Sequence, residues 1–413
     1  MKKTMSKVAL LLSAALLLTA CASKDAKKTE AQNTNPEKVD WLEAPSLKDA
    51  YAGIFEHIGV AINEKEFKDP ESMDGVIRHF NSITMENEFK PQFMFNWQQP
   101  NTNGTFTSSK GVTIKVPTNV PDFSRMDSLL KFAQLYDIQL RGHVLVWHSQ
   151  TEKSFFRENF KANGALVDAE TMDAREEWYI KTVLEHVANW EAKFNKNKRI
   201  IYAWDVVNEA VSDSANASAW LRTDSDWYAI FKNSDFIINA FRYANKYAPA
   251  DVQLAYNDYN CTMSGKTAGI LKIIDGVKAT ASDDFLPGRI NIIGMQSHVQ
   301  SATPAATSFD VAIRQFLAKE VDVQITELDV AGLTAATDKV GKYRYNELFK
   351  TFKKYEKIDG AYGISGVTIW GLNDERSWIS KGGTQTPLLF TKDNEGYKTK
   401  AAFFGALEAA SAE

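Results

Sequence analysis

Two glutamates, Glu209 and Glu327, each fall in a run that reads as a strand: Trp204-Asp205-Val206-Val207-Asn208-Glu209 and Val323-Gln324-Ile325-Thr326-Glu327-Leu328-Asp329. A short, nearly continuous apolar stretch is the signature of a strand buried on both faces. A carboxylate where such a strand stops stands at the rim of a sheet, facing a cleft. Two of them suit cleavage of a glycosidic bond: one protonates the leaving oxygen, the other stabilises or traps the sugar cation. The two lie far apart in the chain, so only the fold can join them. A lone strand-end glutamate is more often a surface group or half of an ion pair. The His, Trp, Asn and Gln residues at the other strand ends argue for the chemical reading.

The elements that must position these groups alternate. Candidate strands cover 58–62, 82–86, 139–147, 201–208, 252–259, 290–296, 321–328 and 366–372. Helical patterns at 73–80, 123–136, 174–192, 234–247, 267–279, 309–318 and 342–356 fall between them, and 50–57 reads as a short helix entering the first strand. Strands alternating with helices predict a parallel sheet, and eight of them a closed (β/α)8 barrel, a TIM barrel of the α/β class with a single catalytic domain. An open doubly wound sheet is the structural alternative, but no glycine-rich phosphate loop opens any of the helices. In a barrel all strand ends reach one face, where catalytic groups gather. They read Thr84-Met85-Glu86-Asn87-Glu88-Phe89-Lys90, His143-Val144-Leu145-Val146-Trp147-His148-Ser149-Gln150, Tyr256-Asn257-Asp258-Tyr259, Gly294-Met295-Gln296-Ser297-His298 and Trp370-Gly371-Leu372-Asn373-Asp374-Glu375-Arg376-Ser377-Trp378. Amides and lysine bind sugar hydroxyls, and indole faces stack on the C–H surface of a ring. Glu88, Asp205 and Asp258 read as supports of the strand ends, Trp220 and Trp227 as packing residues.

As a set, these motifs resemble family 10 of the glycoside hydrolases, the endo-β-1,4-xylanases, from about residue 50 to about residue 408. The resemblance implies that Glu209 is the general acid/base and Glu327 the nucleophile of a retaining double displacement. It implies that Asn208 bonds the 2-hydroxyl of the sugar being cleaved, and that His298 and Asp329 orient and charge the nucleophile. Glu86, Asn87, Lys90, His143, Trp147 and Gln296 would bind sugars on the non-reducing side; Asn257 and Tyr259 would line the cleft, and Trp370 and Trp378 would roof it. Retention requires carboxyl groups roughly 5–5.5 Å apart, with Glu209 protonated at the outset. The roof would exclude the hydroxymethyl group that distinguishes glucose from xylose. Implied partners are xylan and xylo-oligosaccharides, with no cofactor and no metal. Two alternatives remain: a β-1,4-glucanase on the same barrel, and a catalytically inactive lipoprotein that captures glycan at the surface. The intact glutamate pair argues against the second.

Four places depart from the family pattern, among them Phe89 and Pro91 beside Lys90 and Lys400-Ala401-Ala402 where Lys-Pro-Ala is usual. Residues 96–121, rich in Pro, Asn, Thr, Ser and Gly, form an insertion after the second strand and predict an elaborated loop with a small hairpin shaping the cleft. Residues 151–156 lack the usual Pro and Trp, so that loop differs locally.

The N-terminus reads as an export signal. A basic start precedes a short apolar run at 8–18 and Leu18-Thr19-Ala20-Cys21, which resembles a bacterial lipobox. The expectation is a signal peptide over 1–20, a lipidated Cys21, a polar tether over 21–40, and a domain over 41–413, anchored in the cell envelope. The one remaining cysteine, Cys261, leaves no disulfide partner once Cys21 is acylated. A net charge of −4 gives no electrostatic case for nucleic acid, and a monomer is expected.

Overall fold

The apolar runs become the wall of a barrel. The parallel strands β1 (His57–Ile62), β2 (Ser82–Met85), β3 (Gln139–Trp147), β4 (Ile201–Asn208), β5 (Gln253–Asp258), β6 (Ile292–Met295), β7 (Asp322–Ala331) and β8 (Ile364–Ile369) pair in chain order. β8 closes the ring: Gly366 lies opposite His57 of β1, and Ile364 opposite Val323 of β7. Almost every residue in these strands is buried, which is why they read as continuous apolar runs and not as alternating ones. The structure, a computed structural model, describes residues 38–94, 100–194, 199–358, 360–380 and 383–412. Cys21, the signal segment and the tether up to residue 37 lie outside them.

The helices α1 (Pro70–His79), α2 (Ser124–Tyr136), α3 (Ala169–Phe194), α4 (Asp235–Tyr247), α5 (Ser264–Lys278), α6 (Ala306–Leu317), α7 (Asp338–Lys353) and α8 (Ala401–Ala410) surround the barrel. In α4 the buried Phe236, Ile237, Ala240, Phe241 and Ala244 fall at helical spacing and form the stripe that faces the strands. Among the described residues no helix is long and apolar enough to cross a membrane.

Several boundaries differ from the sequence reading. The helix expected at 50–57 is instead Leu47–Ala50, capped by Ser46 and ended at Tyr51, whose hydroxyl donates to Ala406 O at 2.6 Å. β7 runs on to Ala331 because Asp329–Ala331 pairs with a short strand, His298–Gln300. A hairpin of Phe390–Asp393 and Gly396–Thr399 was not anticipated. It extends the fold at its start: Val39 N donates to Thr399 Oγ1 at 3.0 Å, so order begins before the expected residue 41. Trp41, 1% exposed, stacks on Tyr397 at 3.9 Å and lies over Gly75, where a Cβ would come within 2.2 Å of the indole.

The insertion holds the expected hairpin, Gly104–Thr107 with Thr113–Val116. Its tip turns to the helices. Lys110 Nζ lies 3.0 Å from Asp173 Oδ2, and Ser109 N donates to Glu177 Oε2 at 2.7 Å, both acceptors on α3. Asp173 also accepts from Asn239 Nδ2 at 2.6 Å and Tyr243 OH at 2.8 Å, both on α4. None of the insertion's described residues lines the cleft at the barrel mouth, so the expectation that it shapes that cleft does not hold for them.

Candidate active site

A cleft of about 480 Å³ opens where the strands end. The segment after β2 supplies Glu86, Asn87 and Lys90; β3 and the residues after it His143, Trp147 and Gln150; the end of β4 and the next residue Asn208 and Glu209. Tyr259, Asn260, Gln296, His298, Glu327, Trp370 and Trp378 complete the lining. Thirteen of the residues singled out in the sequence thus meet in one place.

Glu327 is buried on β7, and both its oxygens are held. Asn257 Nδ2 donates to Oε1 at 2.7 Å, and His298 Nε2 lies 3.1 Å from Oε2. Burial alone would raise its carboxyl. The His298 hydrogen bond and the charges of His143, His298 and Arg141 outweigh burial and hold it at about 2. Arg141, 1% exposed inside the barrel, bonds Asp205 Oδ2 at 2.7 Å and Thr326 O at 2.8 Å, and His143 Nδ1 shares the same Asp205 oxygen at 2.8 Å. On the other side, His298 Nδ1 lies 2.9 Å from Asp329 Oδ2, which also accepts from Trp378 Nε1 at 2.8 Å. Burial opposes a charge on His298, but Asp329 and Glu327 prevail and push it up to about 10. The result is an ionised carboxylate clamped by a cationic imidazole.

Glu209 faces it from the end of β4 in a left-handed conformation, φ 55°, uncommon away from glycine. Its N–H donates to Asn257 O at 2.9 Å, and Arg222 Nε donates to its carbonyl at 2.9 Å. The carboxyl group accepts from Trp147 Nε1 at 2.9 Å and from Gln296 Nε2 at 2.8 Å. A continuous hydrogen-bond chain joins the two glutamates. Asn257 Nδ2, bonded to Glu327, also donates to Asn208 Oδ1 at 2.9 Å; that oxygen accepts from Gln296 Nε2 at 3.3 Å as well. With its oxygen so occupied, Asn208 is left to present its amide N–H groups to the cleft.

The walls are polar and fixed. Lys90 Nζ donates to Gln150 Oε1 at 2.7 Å and Asn87 Oδ1 at 3.2 Å, and lies 5.0 Å from the centre of the Trp147 ring. Burial, with Glu66 and Glu88 nearby, pushes the Glu86 carboxyl up to about 8, so it carries a proton near neutrality. Trp370 is buried and packs edge-on to His143 at 5.5 Å, whereas Trp378 is 61% exposed over the opening.

One residue departs from its expected place. Asn257 is fully buried and does not line the cleft: it lies beneath, tying β4 to β7, with Thr326 Oγ1 donating to its Oδ1 at 2.6 Å. Gly294 makes room for it, since a Cβ there would meet Asn257 Oδ1 at 2.4 Å. Asp329 is buried against His298, the neighbour it was expected to have. The sequence reading gave no role to Gln150 and Asn260, which line the cleft, or to Arg222, which braces Glu209. Gln150 ends the His143–Gln150 run, a signal that was available. Trp227 packs as expected, but its Nε1 also donates to Trp147 O at 3.1 Å and so steadies a cleft residue. Among the described residues no cluster of ligating side chains suits a metal ion.

Solved structures share this fold. The Clostridium thermocellum N-terminal endo-1,4-beta-D-xylanase 10B, determined with xylohexaose, superposes with a TM-score of 0.73 at 30% identity over 89% of this chain and 67% of its own. An endo-1,4-beta-xylanase from Caldicellulosiruptor owensensis gives 0.69 at 28% identity, over 88% and 99%. Among curated sequences, an endo-1,4-beta-xylanase of Geobacillus stearothermophilus is 32% identical over 87% of this chain and 97% of its own. Endo-1,4-beta-xylanase Y of Acetivibrio thermocellus is 33% identical over 84% of this chain, which spans about a third of that protein's length, 31%. The sequence profile of glycosyl hydrolase family 10 matches residues 46–409. With its closed eight-stranded barrel and both carboxylates facing one cleft, the chain belongs to glycosyl hydrolase family 10.

Proposed function

We propose that the chain cleaves internal β-1,4-xylosidic bonds of xylan and xylo-oligosaccharides with retention of configuration. The observation that carries this is the pairing of an ionised Glu327 with Glu209 through the Asn257–Asn208–Gln296 chain. An Oε of Glu327 attacks the anomeric carbon as Glu209 passes its proton to the departing glycosidic oxygen, leaving a glycosyl-enzyme ester. Glu209, now a base, takes a proton from water as the water oxygen attacks the same carbon and frees Glu327. The amide of Asn208 bonds the 2-hydroxyl in both steps. The named activities of the relatives, and the xylohexaose held by one of them, support the substrate class.

Product analysis on arabinoxylan and linear xylo-oligosaccharides tests the reading, with Glu209→Ala and Glu327→Ala beside the parent. Short oligosaccharides from the parent alone are expected; release from the polymer by the Glu327→Ala protein would refute the nucleophile assignment. The aryl cellobioside to aryl xylobioside rate ratio separates a glucanase, and Trp378→Ala should raise it if the indole excludes the hydroxymethyl group.

Lipidation of Cys21 and anchoring in the cell envelope belong to the same proposal, supported by the basic, apolar and Leu18–Cys21 segments of the N-terminus. Labelling cells with tritiated palmitate should mark the parent and not Cys21→Ala.

A further inference from the structure

Beside the catalytic cleft, the loops that follow β2 and β3 enclose a second groove of about 1070 Å³, larger than the cleft itself. Gln92 and Phe93 form part of one side, Asn159, Phe160 and Lys161 part of the other. It begins behind the cleft wall: Gln92 N donates to the carbonyl of Gln150, a cleft residue, at 2.9 Å.

Three observations point to a ligand. Ser154 lines the groove, is 3% exposed, and its Oγ has no hydrogen-bond partner among the described residues. Buried hydroxyls are nearly always bonded; this one lies just under the groove surface, and a turn about χ1 would be needed to bring it to an incoming hydroxyl. Asn159 and Phe160 both hold φ at 54°, a left-handed conformation that is costly for a bulky side chain and is kept where a surface needs its shape. A further hollow of about 380 Å³ shares Thr102, Asn159 and Phe160, prolonging the groove toward the start of α3.

Its chemistry narrows the occupant. Asp122 and Glu152 balance Arg125 and Lys161, so the groove has no net pull on an anion. What remains is amide, hydroxyl and the ring of Phe93, 38% exposed: donors and acceptors for sugar hydroxyls with a platform for a C–H face.

We propose that this groove is an accessory binding site for a neutral β-1,4-linked glycan, holding a neighbouring length of xylan while the cleft acts. The identity of the glycan rests on the xylanase reading; the existence of the site does not. Gln92 and Phe93 are exposed, so replacing both by alanine spares the core. Native electrophoresis through gels containing soluble arabinoxylan, mixed-linkage glucan or mannan reads binding, for the parent and for Glu327→Ala protein, each with and without the double substitution. The double substitution should weaken retardation by arabinoxylan about five-fold while the aryl xylobioside rate stays within about two-fold. Its rate on insoluble xylan should fall about three-fold, since holding the polymer raises its local concentration. Unchanged retardation in all three polymers overturns the site. A parent that cleaves no xylan sinks the catalytic reading alone; the groove then stands if retardation by any of the three polymers is lost, and falls if none is.

Discussion

His298 and Glu327 keep opposite charges although burial opposes both, and the pH behaviour follows from the signs. Glu327 sits below its ordinary value, at about 2, so its stabilisation is complete above the unfolded carboxylate range and is lost as pH falls toward about 2. His298 sits above its ordinary value, at about 10, so its contribution is complete below about 6.5 and fades as pH climbs to about 10. His298→Asn should therefore lift the acidic limb of kcat/KM by about one pH unit or more. The stability gap between parent and variant should shrink between about pH 6.5 and 10, as urea titrations would show. Glu86 gives a second case. Because its carboxyl is protonated until about 8, Glu86→Gln should keep KM within about three-fold at neutral pH, while Glu86→Ala should raise it about ten-fold. Above about pH 8 the parent's KM should climb and that of Glu86→Gln should not. Initial-rate measurements across pH check both. At this scale the residue types at the strand ends were legible, since a carboxylate or an indole closing an apolar run is visible in one dimension. The side on which Asn257 points was not: a period of two fixes alternation and leaves open whether the polar residue meets solvent or lies under its neighbours.

The long helix α3 shows what an element can hide. Asp173 and Glu177 on α3 receive the hairpin tip, and Glu176 between them is fully buried, its carboxyl raised well above the ordinary range by burial. Asp173→Ala would leave Asn239 and Tyr243 without their acceptor, so chemical unfolding should show a loss of about 2–4 kcal/mol. Asp173→Asn keeps an acceptor and should lose less. In the sequence, the charges of Asp173, Glu176 and Glu177 look like a solvated helix face, and the helix begins at Ala169, ahead of the expected 174. The terminal hairpin was missed for a different reason: Asp393-Asn394-Glu395-Gly396 is turn chemistry, but its flanking strands are short and only partly buried.

Over the whole molecule, closure depends on pieces remote in sequence. β8 pairs with β1, while Trp41 and Val39 bind the hairpin that precedes α8. Trp41→Ala should cost about 3–5 kcal/mol, because it empties a packed site between Tyr397 and Gly75. Removal of residues 1–37 should leave xylan hydrolysis within about two-fold, since the described fold makes its first contact at Val39. The barrel itself was readable from eight apolar runs alternating with helical patterns. Its start was not, because Val39-Asp40 sits in a polar stretch and is tied to the fold through Thr399 and Lys398, far along the chain.

Asn257 spends both amide hydrogens on Asn208 and Glu327, takes a hydroxyl from Thr326, and fits only because residue 294 has no side chain. For lineages drifting through sequence space, this makes the ground beneath the two glutamates rugged. Residues 208, 257, 294, 296 and 326 are thus coupled through shared contacts, so a substitution at any one of them alters what its neighbours can accept. Substitutions at two of the five should therefore not add, and double-mutant cycles read by chemical unfolding would show the coupling.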